Sequence, residues 1–102
     1  CGICHNTDGP LAELGMHLKQ PAYSTADVNA ALRTTLGMPA SWQIPGGPMP
    51  SHRVSPGAAD LSAIMVRMRS RRPASQMPPL GTVVPDREAI GAVGEWIQQL
   101  GE

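Results

Sequence analysis

The sequence is poor in the residues that usually fill a protein interior. It has no phenylalanine and only three aromatic residues, Tyr23, Trp42 and Trp96, in 102 positions. No charge of one sign prevails: eight basic and eight acidic side chains cancel, which removes the electrostatic reason to expect nucleic acid or an anionic membrane as partner. No apolar run approaches the length of a transmembrane helix, and nothing resembles a signal peptide. No internal repeat or low-complexity run occurs. The acids are scattered, those at helix starts being accounted for as caps and dipole partners, so no carboxylate dyad or catalytic triad stands out. The length suits one small domain spanning residues 1–102, which would bury only roughly two-thirds of its unfolded surface. Against these shortages stand eleven prolines and eleven glycines, which predict short helices joined by long, stiffened loops.

Both cysteines lie in the first five residues, Cys1-Gly2-Ile3-Cys4-His5. This is C-x-x-C-H, the attachment pattern of c-type haem: two thiols at this spacing can add to the two vinyl groups of one porphyrin, and the adjacent imidazole becomes the proximal iron ligand. Two other chemistries use C-x-x-C. A thioredoxin-like redox pair needs a βαβ context that the sequence does not contain. A zinc site needs two further ligands; there is no third cysteine, and neither His17 nor His52 has a partner at ligand spacing. Haem attachment is the reading favoured here, with one covalent iron porphyrin as cofactor. A large, flat, apolar macrocycle would also supply the core that the side chains lack. Haem is attached to such motifs after export, so the chain is expected in the periplasm or otherwise outside the cytoplasm. Since it starts at Cys1, it reads as a mature fragment or an excised domain.

A six-coordinate haem needs a second axial ligand, commonly a methionine sulfur or another histidine. Met77 is the first candidate: it lies in Gln76-Met77-Pro78-Pro79-Leu80-Gly81, where fixed proline φ angles leave little conformational entropy to lose. The competing reading of Met77 is core filler. Met49, in Pro48-Met49-Pro50, is the runner-up, and His52 beside Arg53 would give bis-histidine ligation. Met65 and Met68 sit on a helix stripe and read as packing residues. Met16 and Met38 have no special context, and His17, in an alternating segment, reads as structural.

Three helices are expected. Residues 25–36 follow a Ser24/Asp27 capping-box pattern, place Val28, Ala31, Leu32 and Leu36 on one face, and stop at Gly37. Residues 59–70 carry the stripe Leu61, Ile64, Met65 and Met68, and Pro73 ends the helix. A last helix starts from Asp86 as N-cap, with Ile90, Val93, Trp96, Ile97 and Leu100 on one face. Before them, Asp8-Gly9-Pro10 reads as a turn, and the alternation of Leu14, Met16 and Leu18 with Gly15, His17 and Lys19 as a short extended piece. Residues 38–57, with five prolines and three glycines, and residues 71–85 read as loops.

Taken together, Cys1 to His5 followed by Asp8-Gly9-Pro10, the Met77-Pro78-Pro79-Leu80-Gly81 loop and a helix carrying Trp96-Ile97 resemble a class I cytochrome c domain. Ser55-Pro56-Gly57 entering a helix, Arg67-Met68 and Glu95-Trp96-Ile97 are similar to the haem domains of bacterial periplasmic oxidoreductases, some fused to quinoprotein sugar dehydrogenases. The resemblance covers the two ends, about half of the chain, and is poor between residues 20 and 54. It implies an all-α, cytochrome c-like fold wrapped around one haem, thioethers at Cys1 and Cys4, axial ligation by His5 and Met77, and single-electron transfer without substrate chemistry. Its partners would be a redox protein or a fused dehydrogenase domain. It also implies a helix ahead of the motif, crossing the last helix near Gly91, Gly94 and Trp96, for which this chain has no residues. The carbonyl of Gly9 or Pro10 could orient His5. Arg67, Arg69, Arg71 and Arg72 cluster near the ligand loop, either as a docking patch or haem-propionate contacts, or as a solvated helix face. The alternative from another functional class is a five-coordinate haem for gas sensing or peroxidase chemistry, in which Met77 does not bind iron.

Overall fold

The computed structural model describes residues 4–8, 11–18, 24–79 and 82–101, with the side chain of Asp27 outside the description. Helix is the only regular structure among the described residues: α1 (Thr25–Thr35), α2 (Ala63–Arg69) and α3 (Arg87–Gln99), with 3-10 turns at Ala12–Leu14 and Ala59–Leu61. Isolated bridges pair His52 with Pro39 and with Ser62. The all-α expectation holds at this level. The chain divides into two compact units, residues 1–36 and 37–102.

In the first unit the expected extended piece is replaced. Leu14 belongs to the 3-10 turn, and Gly15 ends it in the left-handed region, φ +71°, which a residue without Cβ adopts at no steric cost. Only residues 16–18 run on as irregular chain. They form a strap, in which the Leu18 N–H donates to the His5 carbonyl at 2.7 Å and the His17 N–H donates to Thr34 Oγ1 at 3.0 Å. α1 ends as expected, with Gly37 at φ +64°. The expected face is shorter than its periodicity suggests. Ala31, Leu32 and Leu36 are half-buried, but Val28 is exposed. The strap bonds α1 at Thr34, near its C-terminal end, and Thr35 there is buried with its hydroxyl donating to the Ala31 carbonyl at 2.7 Å. The Ser24/Asp27 box falls on a side chain outside the description.

In the second unit the expected 59–70 helix is interrupted at Ser62, whose backbone is extended at φ −94°, ψ 122°. The Ser62 hydroxyl explains the break. It accepts from the Ser55 N–H at 2.8 Å and donates to the Ala58 carbonyl at 3.0 Å, a local alternative to the helical ladder that serine side chains offer. One consequence is that Leu61, assigned to the apolar stripe, is exposed. Val54, Ala59, Ala63, Met65 and Ile97 form the buried core, where the 3-10 turn, α2 and α3 meet. α3 agrees with its sequence: Asp86 caps it by accepting from the Ala89 N–H at 3.0 Å, Ile97 is fully buried, and Ile90, Val93, Trp96 and Leu100 are half-buried. Two glycines give close approaches that larger residues would block. A Cβ on Gly94 would lie 3.3 Å from Met65 Cε, and one on Gly101 would lie 2.6 Å from Gly57 Cα. Residues 38–57 are irregular but internally bonded: Ser51 N–H donates to Gln43 Oε1 at 2.7 Å and Ile44 N–H to Ser51 Oγ at 2.8 Å.

Candidate functional site

Cys1 lies outside the described residues, as do Gly9 and Pro10, the suggested orienting carbonyls. Cys4 is a free, exposed thiol. His5, by contrast, is buried at 5 % exposure, although it sits in an irregular turn. Its backbone is held by the strap through Leu18, and the strap in turn is held to α1 through Thr34, whose hydroxyl donates to the Ala30 carbonyl at 2.8 Å. An exposed thiol followed by a buried imidazole gives the motif two distinct sides. His17 belongs to the strap, and its Nδ1 is buried with no hydrogen-bond partner among the described residues.

Met77 belongs to the second unit and is half-buried. Its loop is fastened to the end of α2. The Met77 N–H donates to the Arg67 carbonyl at 3.0 Å. The Met77 carbonyl accepts from Arg71 Nη2 at 3.4 Å, and the same nitrogen donates to the Met68 carbonyl. Arg67 Nε donates to the Ser75 carbonyl at 3.1 Å, while its guanidinium lies over Trp42, 5.4 Å from the ring centroid. Burial there lowers the Arg67 pKa from its ordinary value. The hydroxyls of Ser70 and Ser75 share a 2.7 Å hydrogen bond that draws the two ends of the loop together. Met77 is thus fixed at both its N–H and its C=O, by a carbonyl and a guanidinium belonging to one short helix and the turn after it.

The four arginines do not share a face. Arg69 and Arg72 are exposed, and Arg69 pairs with Asp60 at 2.7 Å. Arg67 and Arg71 turn inward to the loop. Nε and Nη1 of Arg71 are both buried, with no hydrogen-bond partner among the described residues. The competing ligands occupy different settings. Met49 is 75 % exposed and Met65 fully buried against α3, the packing role its stripe position predicts. His52 takes part in the two isolated bridges.

Gln76 had no role in the sequence reading. It is buried at 6 % exposure, and its Nε2 donates to the carbonyls of Pro78 at 3.1 Å and Pro79 at 3.2 Å. The signal available in the sequence was indirect: consecutive prolines carry carbonyls but no N–H groups, so they need donors from elsewhere.

Among the described residues, no three His, Cys, Asp or Glu side chains converge on a common point, and no helix is long and apolar enough to cross a membrane. Comparison with models of known protein families, with curated proteins and with solved structures found no match to this chain.

Proposed function

We propose that the chain is an exported single-electron carrier of cytochrome c type, holding one haem through Cys1 and Cys4, with His5 and Met77 as axial ligands. The observation that carries this reading is the motif Cys1-Gly2-Ile3-Cys4-His5. When bound, the haem would supply the one-electron chemistry, its iron alternating between ferric and ferrous states. The protein's part is to hold and tune it. Three features support the fit. The histidine of the motif is buried while its neighbouring thiol is exposed. The candidate methionine sits on a loop whose backbone is bonded at both sides. Arg71 keeps two buried guanidinium nitrogens without partners among the described residues, beside that loop, an arrangement suited to a carboxylate such as a haem propionate. The shallow core among the described residues, with no fully buried aromatic ring, also suits a chain that folds around an apolar macrocycle. Electrons would pass between a periplasmic dehydrogenase, separate or fused, and an acceptor protein.

The test is spectroscopic. Protein produced with haem-attachment machinery is expected to retain haem after denaturation and to show a sulfur-to-ferric-iron charge-transfer band when oxidised. Met77→Leu should abolish that band and let the reduced protein bind carbon monoxide promptly. An unchanged band in Met77→Leu would remove Met77 as ligand, and loss of the band in Met49→Leu instead would reassign it. Prompt carbon monoxide binding by the unaltered protein, with no band, would replace the carrier with a five-coordinate sensor or peroxidase.

A further inference from the structure

We propose that Gln76 is a positioning residue for the Met77 ligand: its side-chain amide clamps the Pro78 and Pro79 carbonyls and so sets how firmly the methionine sulfur is presented to iron. The inference rests on the assignment of Met77 as axial ligand. A ligand loop has to resist displacement of its sulfur by solvent and by competing small bases. This loop has few means of its own to do so, because Pro78 and Pro79 cannot donate a hydrogen bond. Gln76 supplies the donors from within the loop. Its backbone N–H is tied to the Arg72 carbonyl at 2.8 Å, which fixes the origin of the side chain. Its Nε2 then bonds the two proline carbonyls at 3.1 and 3.2 Å, with the Thr82 carbonyl at 3.5 Å on the far side of the loop. Three carbonyl oxygens around one terminal atom identify that atom as the NH2 of the amide, because an oxygen there would face only acceptors. The residue is more than nine-tenths buried, so water cannot easily replace those bonds and their loss is felt in full. Gln76 therefore spans the stretch of loop that begins at Met77, holding the chain on the C-terminal side of the ligand as Arg67 and Arg71 hold Met77 itself.

The experiment measures displacement of the ligand by imidazole in the oxidised, haem-loaded protein, followed through the sulfur-to-iron band and the visible spectrum. Four proteins form a cycle: the unaltered chain, Gln76→Met, Met77→Leu and the double variant. Gln76→Met keeps length and flexibility but removes the donor, and should raise imidazole affinity about tenfold, equal to about 1.4 kcal/mol. Gln76→Glu, which sets a carboxylate against the carbonyls, should raise it at least as far. In the Met77→Leu background no sulfur competes, so Gln76→Met should leave imidazole affinity unchanged. Equal affinities of the unaltered chain and Gln76→Met, with helical content preserved, would overturn the proposal. So would an equal increase with and without Met77, since the effect would then not pass through the ligand. If Met77→Leu alone changes neither band nor imidazole affinity, the ligand assignment itself fails, and that outcome is read from a different pair of proteins. Should Gln76→Met not accumulate in haem-loaded form, Gln76→Asn, one methylene short of the proline carbonyls, takes its place in the same cycle.

Discussion

Gly91 and Gly94 lie one turn apart in the interior of α3, where glycine costs roughly 0.8–1 kcal/mol relative to alanine. The structure assigns them different surroundings. A Cβ on Gly91 meets no described atom within 4 Å, and the residue is exposed, whereas a Cβ on Gly94 would stand 3.3 Å from Met65 Cε. Gly91→Ala should therefore keep most of the propensity gain, about 0.5–1 kcal/mol. At about 4–8 °C per kcal/mol for a domain of this size, the unfolding midpoint should rise by about 2–8 °C. Gly94→Ala starts from the same gain but tightens a contact with a fully buried methionine. The flexible end of Met65 can yield a few tenths of an ångström, so the net change should be smaller, near zero. Shortening Met65 to alanine would itself cost about 2–5 kcal/mol, yet in that background Gly94→Ala should recover the gain seen at Gly91. The assay is thermal unfolding followed by helical circular dichroism, on proteins of matched haem content. A lower midpoint for Gly91→Ala would refute the reasoning and show that another element covers this face of α3, as the helix implied by the cytochrome resemblance would. A larger gain at Gly94 than at Gly91 would refute the proposed contact with Met65.

Three further outcomes follow from the same geometry. Ser62→Ala removes the acceptor of the Ser55 N–H and the donor to Ala58 at a site with no solvent exposure, and should cost about 1–3 kcal/mol in urea unfolding; a change below about 0.5 kcal/mol would show that a water or a helical rearrangement replaces the hydroxyl. Asp86→Ala removes the α3 cap and should cost about 1 kcal/mol, while Asp86→Asn should cost much less; equal losses would mean that the carboxylate acts by charge and not as a cap. In native-state hydrogen exchange, the Met77 and Ser70 amides should open together, since both are bonded to carbonyls in the last turns of α2; protection factors differing by more than about tenfold would separate the loop from the helix end.

The parts of the fold that could be read from sequence are those in which local and long-range demands agree. α3 combines a capping aspartate with apolar residues at spacings of three and four, and both features appear where expected. α1 stops at Gly37 because only a residue free to take positive φ suits that end. The failures share a cause, in that a periodic pattern was followed through a residue with a competing option. Ser62 fits a helix by period, but its hydroxyl bonds Ala58 and Ser55 and breaks the helix in two, leaving Leu61 outside. Leu14, Met16 and Leu18 alternate as in a strand, yet three alternations are too few to outweigh a glycine that turns the chain at position 15. Val28 has the right phase on α1 yet is exposed. The candidate site divides in the same way. Residue types suited to haem chemistry, Cys1, Cys4, His5 and Met77, are conspicuous in the sequence, because few other chemistries need them at such spacing. The groups that secure Met77 are an arginine, a glutamine and a backbone carbonyl, whose part depends entirely on three-dimensional placement.

That placement follows from two shortages that offset one another. A helix as short as α2 leaves its last carbonyls without intrahelical donors. The loop after it, with Pro73, Pro78 and Pro79, is short of donors in turn. The Val66 carbonyl accepts from Ser70 and the Arg67 carbonyl from Met77, so the loop completes the helix end. Arg71 then serves both, donating to the Met68 carbonyl at the helix end and to the Met77 carbonyl in the loop, and Gln76 serves the carbonyls of Pro78 and Pro79. Helix end and loop are therefore each other's caps, and neither has a full set of hydrogen bonds alone. Proline-rich loops are often described as rigid because their φ angles are fixed, but fixed φ does not fix the position of a side chain relative to the rest of the molecule. Here that position is set by hydrogen bonds whose donors come from Met77, Arg71 and Gln76, and whose acceptors are the carbonyls that a short helix and two prolines leave over. If Met77 is the iron ligand proposed above, its presentation is set without touching its sulfur, through residues one or several positions away in sequence.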